Sequence, residues 1–189
     1  MSTISHSEAG SRGPSGHVTI VFTSDWGVST GVGQAGRTHS TIERGRNGQP
    51  VVRGTVITGV LREQAMLAAK ALDGQKDGKW TSFALWLFGQ DPNSEPGSTP
   101  HPRHILFSDA TPASPIPVHD TVSLSIDPKT GTARDQFLRF TERAAAGVLT
   151  GTFTLIDEAG AEISDQETLK ASHFLLGVAG LMVRGIGSG

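Results

Sequence analysis

The stretch Asp25–Arg62, DWGVSTGVGQAGRTHSTIERGRNGQPVVRGTVITGVLR, constrains this chain more than any other part of it. Upstream lies a β-branched and aromatic run, His17–Thr23 (HVTIVFT), bounded by glycine and serine, which reads as a first strand. Downstream, from Gly54 to Leu72, apolar residues fall at 56, 57, 60, 61, 67, 68, 71 and 72, close to a 3.6-residue period, and Asp73-Gly74 stops the run as a helix end does. The fold must therefore join a strand to an amphipathic helix through a long loop rich in glycine and arginine. Long loops inside compact domains usually carry function, so the ligand is to be sought there.

The remaining elements follow from the same signals. Trp80–Phe88 (WTSFALWLF) reads as a short buried helix, PNSEPGSTPHP as a loop, and Ile105–Phe107 as a strand. Thr121–Ile126 alternates Val122, Leu124 and Ile126, the polar turn Asp127–Asp135 (DPKTGTARD) follows, and Phe137–Thr141 returns, which makes a β-hairpin with a long tip. Val148–Ile156 is a further strand, and Ser164-Asp165-Gln166-Glu167 has the S-x-x-E spacing of a capping box before a helix over Leu169–Val183. Stripped of insertions, strand, helix, strands, helix is most of a ferredoxin-like or RRM-like β-α-β-β-α-β unit, an α+β fold with an antiparallel sheet and two main helices. The last strand of that unit, expected after Arg184–Gly189 (RGIGSG), is missing. A fragment, or a strand supplied by another chain, would account for that, as would a sheet already completed by its five strands. Residues 1–16 read as a flexible tail and 17–189 as a single domain.

Composition narrows the functional classes. A chain of 189 residues with 36% hydrophobic residues can bury a real core in one domain. No apolar run approaches the roughly 20 residues that span a bilayer, and the N-terminal residues offer no signal peptide, so no membrane partner and a cytoplasmic location are expected. The absence of cysteine excludes disulfides and thiolate metal sites. A net charge of −2 argues against a protein that coats nucleic acid indiscriminately. Charge is nonetheless uneven: Arg37, Arg44, Arg46, Arg53 and Arg62 follow one another with only Glu43 as an acid between them, whereas residues 156–167 carry five acids and no base. A basic face on a near-neutral protein is the expectation.

The wording of the loop adds a resemblance. Gly31-Val32-Gly33, a polar segment ending in Glu43–Pro50 (ERGRNGQP), and then Arg53–Arg62 (RGTVITGVLR) resemble the RAMP proteins of CRISPR effector complexes, with their glycine-rich loop, a segment such as IDSPVIRD, and a P-I-P-G-S-S-L-K-G-x-x-R helix start. Phe88-Gly89, Ile105–Ala110 and Ser125–Ala133 are similar to further blocks of that family in the same order. The nearest resemblance is to the repeated, RNA-guided backbone subunits of type III complexes. It implies an antiviral ribonucleoprotein whose partners are a CRISPR guide RNA, a target RNA, and other effector subunits or copies of the same chain. It also implies that the hairpin tip reaches across the guide–target duplex like a thumb.

On that resemblance, Gly31, Gly33, Gly36, Arg37, Arg44, Arg46, Arg53, Gly54, Thr55, Thr58 and Arg62, with Lys129 and Arg134 at the hairpin tip, are the candidate RNA-binding residues. Read without it, the loop is a flexible connection, the helix start serves equally as an ordinary cap or an anion site, and the hairpin tip is a polar turn. The sequence also departs from the family pattern. Arg53 stands for the proline, with a phosphate contact as its possible compensation, and Thr58 stands for the lysine that meets the guide backbone. His39 stands where related subunits carry the aspartate that cleaves target RNA, so an enzyme is not the leading expectation. His39 as a general base, with Glu43 near it in sequence, is the alternative of an endoribonuclease.

Gly31–Gly36 formally matches G-x-G-x-x-G, but it neither directly follows the strand nor opens a helix, so a small nucleotide-binding module is a third reading only. No cofactor is expected. His101 and His104 in HPRH lack a third metal ligand in view. Trp80 and Trp86 read as core, which leaves Trp26 among the residues able to stack a base.

Overall fold

The computed structural model describes residues 15–29, 40–74, 78–90, 101–126 and 129–186. Its elements run β1 (Gly16–Phe22), α1 (Gly54–Asp73), α2 (Lys79–Phe88), β2 (Ile105–Phe107), β3 (Thr111–Pro112), β4 (Val118–Ile126), β5 (Ala133–Ala144), β6 (Gly147–Leu155) and α3 (Gln166–Met182).

The main sheet has the order β1-β6-β2, with β3 also pairing β6, and every described pairing in it is antiparallel. The central strand β6 explains how this sheet meets the helices. Leu149, Phe153 and Leu155 point to one face and are buried, while Val148, Thr150, Thr152 and Thr154 point to the other. Ile20 of β1 and Ile105 of β2 join the buried side, where Ile57, Leu61, Ala65 and Ala68 of α1 and Leu175, Leu176 and Ala179 of α3 cover them.

β4 and β5 form a separate two-stranded sheet. The described strands therefore do not form a single sheet, and the hairpin stands apart as an arm rooted by the pairing of Trp26 with Ala144. β5 begins at Ala133, so Arg134 belongs to the strand and the turn around Lys129 is shorter than the sequence implies.

Helix boundaries follow local chemistry. The carboxylate of Asp73, last residue of α1, accepts the backbone N–H groups of Trp80 and Thr81, each at 2.8 Å, and the Thr81 hydroxyl at 2.7 Å. Burial pushes the Asp73 pKa up, yet these bonds outweigh it and hold the group below the usual carboxylate range. One side chain thus ends one helix and starts the next. α3 begins one residue later than an S-x-x-E box anchored on Ser164 requires: Asp165 is the N-cap and accepts Thr168 N–H at 2.8 Å. A carboxylate is a good N-cap acceptor, and D-x-x-T here supplies the closing N–H that the box would have taken from Glu167.

Trp26 is 2% exposed, stacks on Phe22 with ring centroids 4.3 Å apart, and donates its indole N–H to the Ala145 carbonyl at 3.1 Å. It is a root of the hairpin and cannot stack a base. Trp86 stacks on the buried His104 at 4.4 Å, and His104 Nδ1 lies 2.9 Å from the Ile156 carbonyl oxygen, so this histidine belongs to the core. Among the described residues no three His, Asp or Glu side chains gather as a metal would need, and no helix is long and apolar enough to cross a membrane.

Candidate nucleic-acid interface

The segment ERGRNGQP folds into a small hairpin. Arg44 pairs with Pro50, Gly45 N–H reaches the Gln49 carbonyl at 2.9 Å, and Asn47 Oδ1 accepts Gln49 N–H at 3.1 Å. Gly48, at φ 74°, takes the left-handed conformation that closes the turn. Arg46 sits exposed at its tip.

Three carboxylates, two of them distant in sequence, fix this hairpin in place. Glu142 of β5 accepts Ile42 N–H at 3.1 Å through Oε2 and the Arg44 guanidinium at 3.3 Å through Oε1, while Arg44 also donates to the Gly48 carbonyl at 3.0 Å. Arg53 donates to Glu43 through Nε at 2.8 Å and again through Nη2, and to Asp109 Oδ2 through Nη1 at 2.7 Å. Hydrogen bonds to Asp109 and then Glu43 raise the Arg53 pKa above its ordinary value. The described part of the loop therefore has Arg44, Arg46 and Arg53 balanced by Glu43, Asp109 and Glu142. Its charge is far less one-sided than the sequence around Glu43 implies, and Arg53 is an internal brace with no free fork for a phosphate.

Asp109 also answers the question posed at the start of α1. Its Oδ1 accepts Gly54 N–H at 2.9 Å, placing a carboxylate at the helix N-terminus, where the aligned peptide dipoles favour negative charge. That bond, foremost, and the Arg53 guanidinium hold the Asp109 carboxyl below the usual range against the upward push of burial. The anion at this helix start is thus supplied by the protein itself. Gly54 is required by packing: a Cβ there would overlap the Phe107 carbonyl oxygen and lie 2.9 Å from its carbon. Thr58 donates its hydroxyl to the Gly54 carbonyl at 2.7 Å. Thr55, exposed, and Thr58 and Arg62, both half-buried, run down one side of α1 at helical spacing.

Of the candidate residues, Arg44, Arg46, Arg53 and Gly54 are brought together at the joint between the loop, α1 and the root of the β4–β5 hairpin. Arg46 and Arg62 meet no carboxylate among the described residues. Lys129 is exposed at the far end of the hairpin, beside Gly131 at φ 67°. Gly31, Gly33, Gly36, Arg37 and His39 lie outside the described residues. Glu43, near His39 in sequence, is engaged by Arg53. Sequence reading missed Asp109 and Glu142, both distant along the chain from the arginines they hold; Asp109 was nonetheless in view as part of the block Ile105–Ala110.

A model of the RAMP superfamily matches residues 19–189. This chain belongs to the RAMP superfamily. The RAMP fold is shared with a subunit of a type III-B Cmr-beta complex bound to cognate target RNA, at TM-score 0.61 and 9% identity over 83% of this chain and 87% of that one. The apo state of a type III-B Cmr-beta complex matches at TM-score 0.61 and 8% identity, over 85% and 88% of the two chains. A type IV-B CRISPR complex matches at TM-score 0.55 and 13% identity, over 86% and 79%. No curated protein matches this RAMP chain by sequence.

Proposed function

We propose that this RAMP chain is a guide-RNA-binding backbone subunit of a CRISPR ribonucleoprotein effector complex in antiviral defence, working in the cytoplasm with target RNA and with other subunits or copies of itself. The observation that carries the reading is the joint at Glu142 and Asp109: it holds a glycine-turned loop rigidly at the root of a projecting hairpin and displays Arg46 there. Pre-ordering a loop that presents Arg46 before the ligand arrives removes much of the ordering cost of binding. The fold fits a ferredoxin-like sheet in which β6 lies between β1 and β2, and the outer edge of β1, unpaired among the described residues, is where a final strand would join.

The RNA-binding set follows from the same joint. Arg46 and Arg62 supply the phosphate contacts of the described region, with Arg37 and the glycines of 31–36 completing the loop and Lys129 and Arg134 serving the far end of the hairpin. Arg44, Arg53 and Gly54 act through the shape of the loop, without direct contact. The chain serves as scaffold more than as enzyme, because His39 stands where the resemblance to related subunits would put the aspartate that cleaves target RNA.

The test is a salt series of single-stranded RNA binding by fluorescence anisotropy. Arg46→Ala is expected to weaken binding and to lower the slope of log K against log salt by about 0.7, the single-strand value for one phosphate contact. Wild-type protein that ignores RNA, or an Arg46→Ala variant with wild-type affinity and slope, would contradict the reading.

A further inference from the structure

The turn that displays Arg46 carries chemistry of its own. Asn47-Gly48 is the chain's one Asn-Gly pair, and both residues are exposed. In such a pair the backbone nitrogen of the glycine attacks the side-chain amide of the asparagine, because glycine has no Cβ to hinder the approach or restrict the backbone. A bond forms between the Gly48 nitrogen and Asn47 Cγ, the side-chain nitrogen leaves as ammonia, and a cyclic succinimide results. Water then opens the ring at either carbonyl. One opening gives aspartate, and the other gives isoaspartate, whose main chain runs through the former side-chain carbonyl. One water enters, one ammonia leaves, and nothing is oxidised or reduced.

The turn holds one half of this reaction ready and withholds the other. Asn47 Oδ1 accepts the Gln49 N–H at 3.1 Å, so the carbonyl under attack is polarised by a donor that also steadies the oxyanion formed on it. Gly45 makes room for that oxygen, since a Cβ there would lie 3.2 Å from it. The Arg44 guanidinium, 3.0 Å from the Gly48 carbonyl oxygen, puts a positive charge near the nitrogen that must become anionic. That nitrogen, in contrast, donates its N–H to the Gly45 carbonyl at 3.0 Å. The closed turn thus ties up the nucleophile, and Gly48 must leave Gly45 before it reacts. Glu142 keeps the turn closed from a distance, by gripping both Arg44 and the Ile42 N–H.

We infer that Asn47 is a self-modification site whose rate is set by the Glu142 clamp, each opening of the turn freeing the Gly48 nitrogen to close the succinimide. Either product puts a carboxylate beside Arg46, and isoaspartate also adds a backbone atom inside the turn that Arg44 and Pro50 close. The modified loop no longer presents Arg46 as a net positive charge. What that does to RNA binding rests on the reading above, whereas the reaction itself does not.

The test incubates the whole chain in mildly alkaline buffer, where the attacking amide ionises more often, and follows peptides spanning residue 47 by mass spectrometry, with aspartate and isoaspartate separated by chromatography. Folded wild-type protein is expected to convert at Asn47, more slowly than the same chain unfolded in urea. Glu142→Gln, shown by circular dichroism to stay folded, should convert about 1.5- to 5-fold faster than wild type, as loss of a surface ion pair shifts the opening equilibrium. In urea the two proteins should convert at the same rate, since the clamp no longer exists. Folded protein that forms neither product at residue 47 while the unfolded chain does, or folded Glu142→Gln no faster than wild type, overturns the inference. Clamp-dependent conversion in a protein that binds no RNA supports the inference and overturns only the RNA-binding reading.

Discussion

The two glycines of RGTVITGVLR should respond to the same substitution in opposite directions. At Gly59, exposed on α1 with nothing within 4 Å of a built Cβ, alanine only removes the entropic cost of glycine in a helix, a gain of about 0.5–1 kcal/mol. At Gly54 the new methyl meets backbone instead. It falls roughly half an ångström inside ordinary contact with the Phe107 carbonyl carbon, deeper still against the oxygen, and 3.1 Å from the Ser108 carbonyl oxygen. Neither carbonyl can swing aside as a side chain does, so the start of α1 must withdraw from the end of β2. That stretches the Gly54 N–H bond to Asp109 and the adjoining Arg53–Asp109 pair. Overpacking plus one compromised, partly buried hydrogen bond comes to about 2–4 kcal/mol. In thermal unfolding followed by circular dichroism, Gly54→Ala should lower Tm by about 4–16 °C and Gly59→Ala raise it by about 1–4 °C. A Gly54→Ala protein of wild-type stability that fails only in RNA binding would refute the packing account and restore Gly54 as an anion-approach glycine.

Three further outcomes follow from the same geometry. Asp109→Asn should cost about 1 kcal/mol at pH 7. Because the folded Asp109 pKa is depressed, its contribution is present above the unfolded carboxylate value of about 3.9 and is lost as pH falls through the lower, folded one, so the gap between wild type and variant should close in urea titrations as pH falls below the unfolded value; a gap constant with pH would contradict the assignment. Ser172 is fully buried in α3 and its hydroxyl has no hydrogen-bond partner among the described residues, so Ser172→Ala should raise stability by about 0.5–1.5 kcal/mol in denaturant unfolding, and a loss would mean that the hydroxyl is satisfied. Glu142→Gln keeps an acceptor for Ile42 N–H but breaks the ion pair with Arg44, so amide exchange at 42–50 should speed up while α1 and α3 keep their protection; unchanged exchange would count against the clamp.

Much of the fold was legible because its signals are local. Ile105–Phe107 was read at its true bounds, α1 ends one residue past the sequence estimate, and β6 and α2 fall within a residue of theirs. The hairpin was legible as a pair of strands, but its stem runs longer than alternation alone implied, since β5 carries the charged residues Arg139, Glu142 and Arg143 that a reading by apolar content leaves out. The site was less legible. A run of arginines with one acid among them looks basic, yet Asp109 and Glu142 arrive from 56 and 98 residues away and cancel two of the cations. Trp26 misled for the same reason: the Ala145 carbonyl that takes its indole N–H lies 119 residues away. Pairings over such distances are decided by topology, which local periodicity does not encode.

The most direct test of the central claim is to express this chain with its genomic neighbours, purify the assembly through a tag on this subunit, and sequence the RNA that accompanies it. A guide-holding backbone subunit predicts uniform short RNAs sharing a repeat-derived end, lost or reduced when Arg46 is reversed in charge. An assembly, or a monomer, that carries no RNA would contradict it.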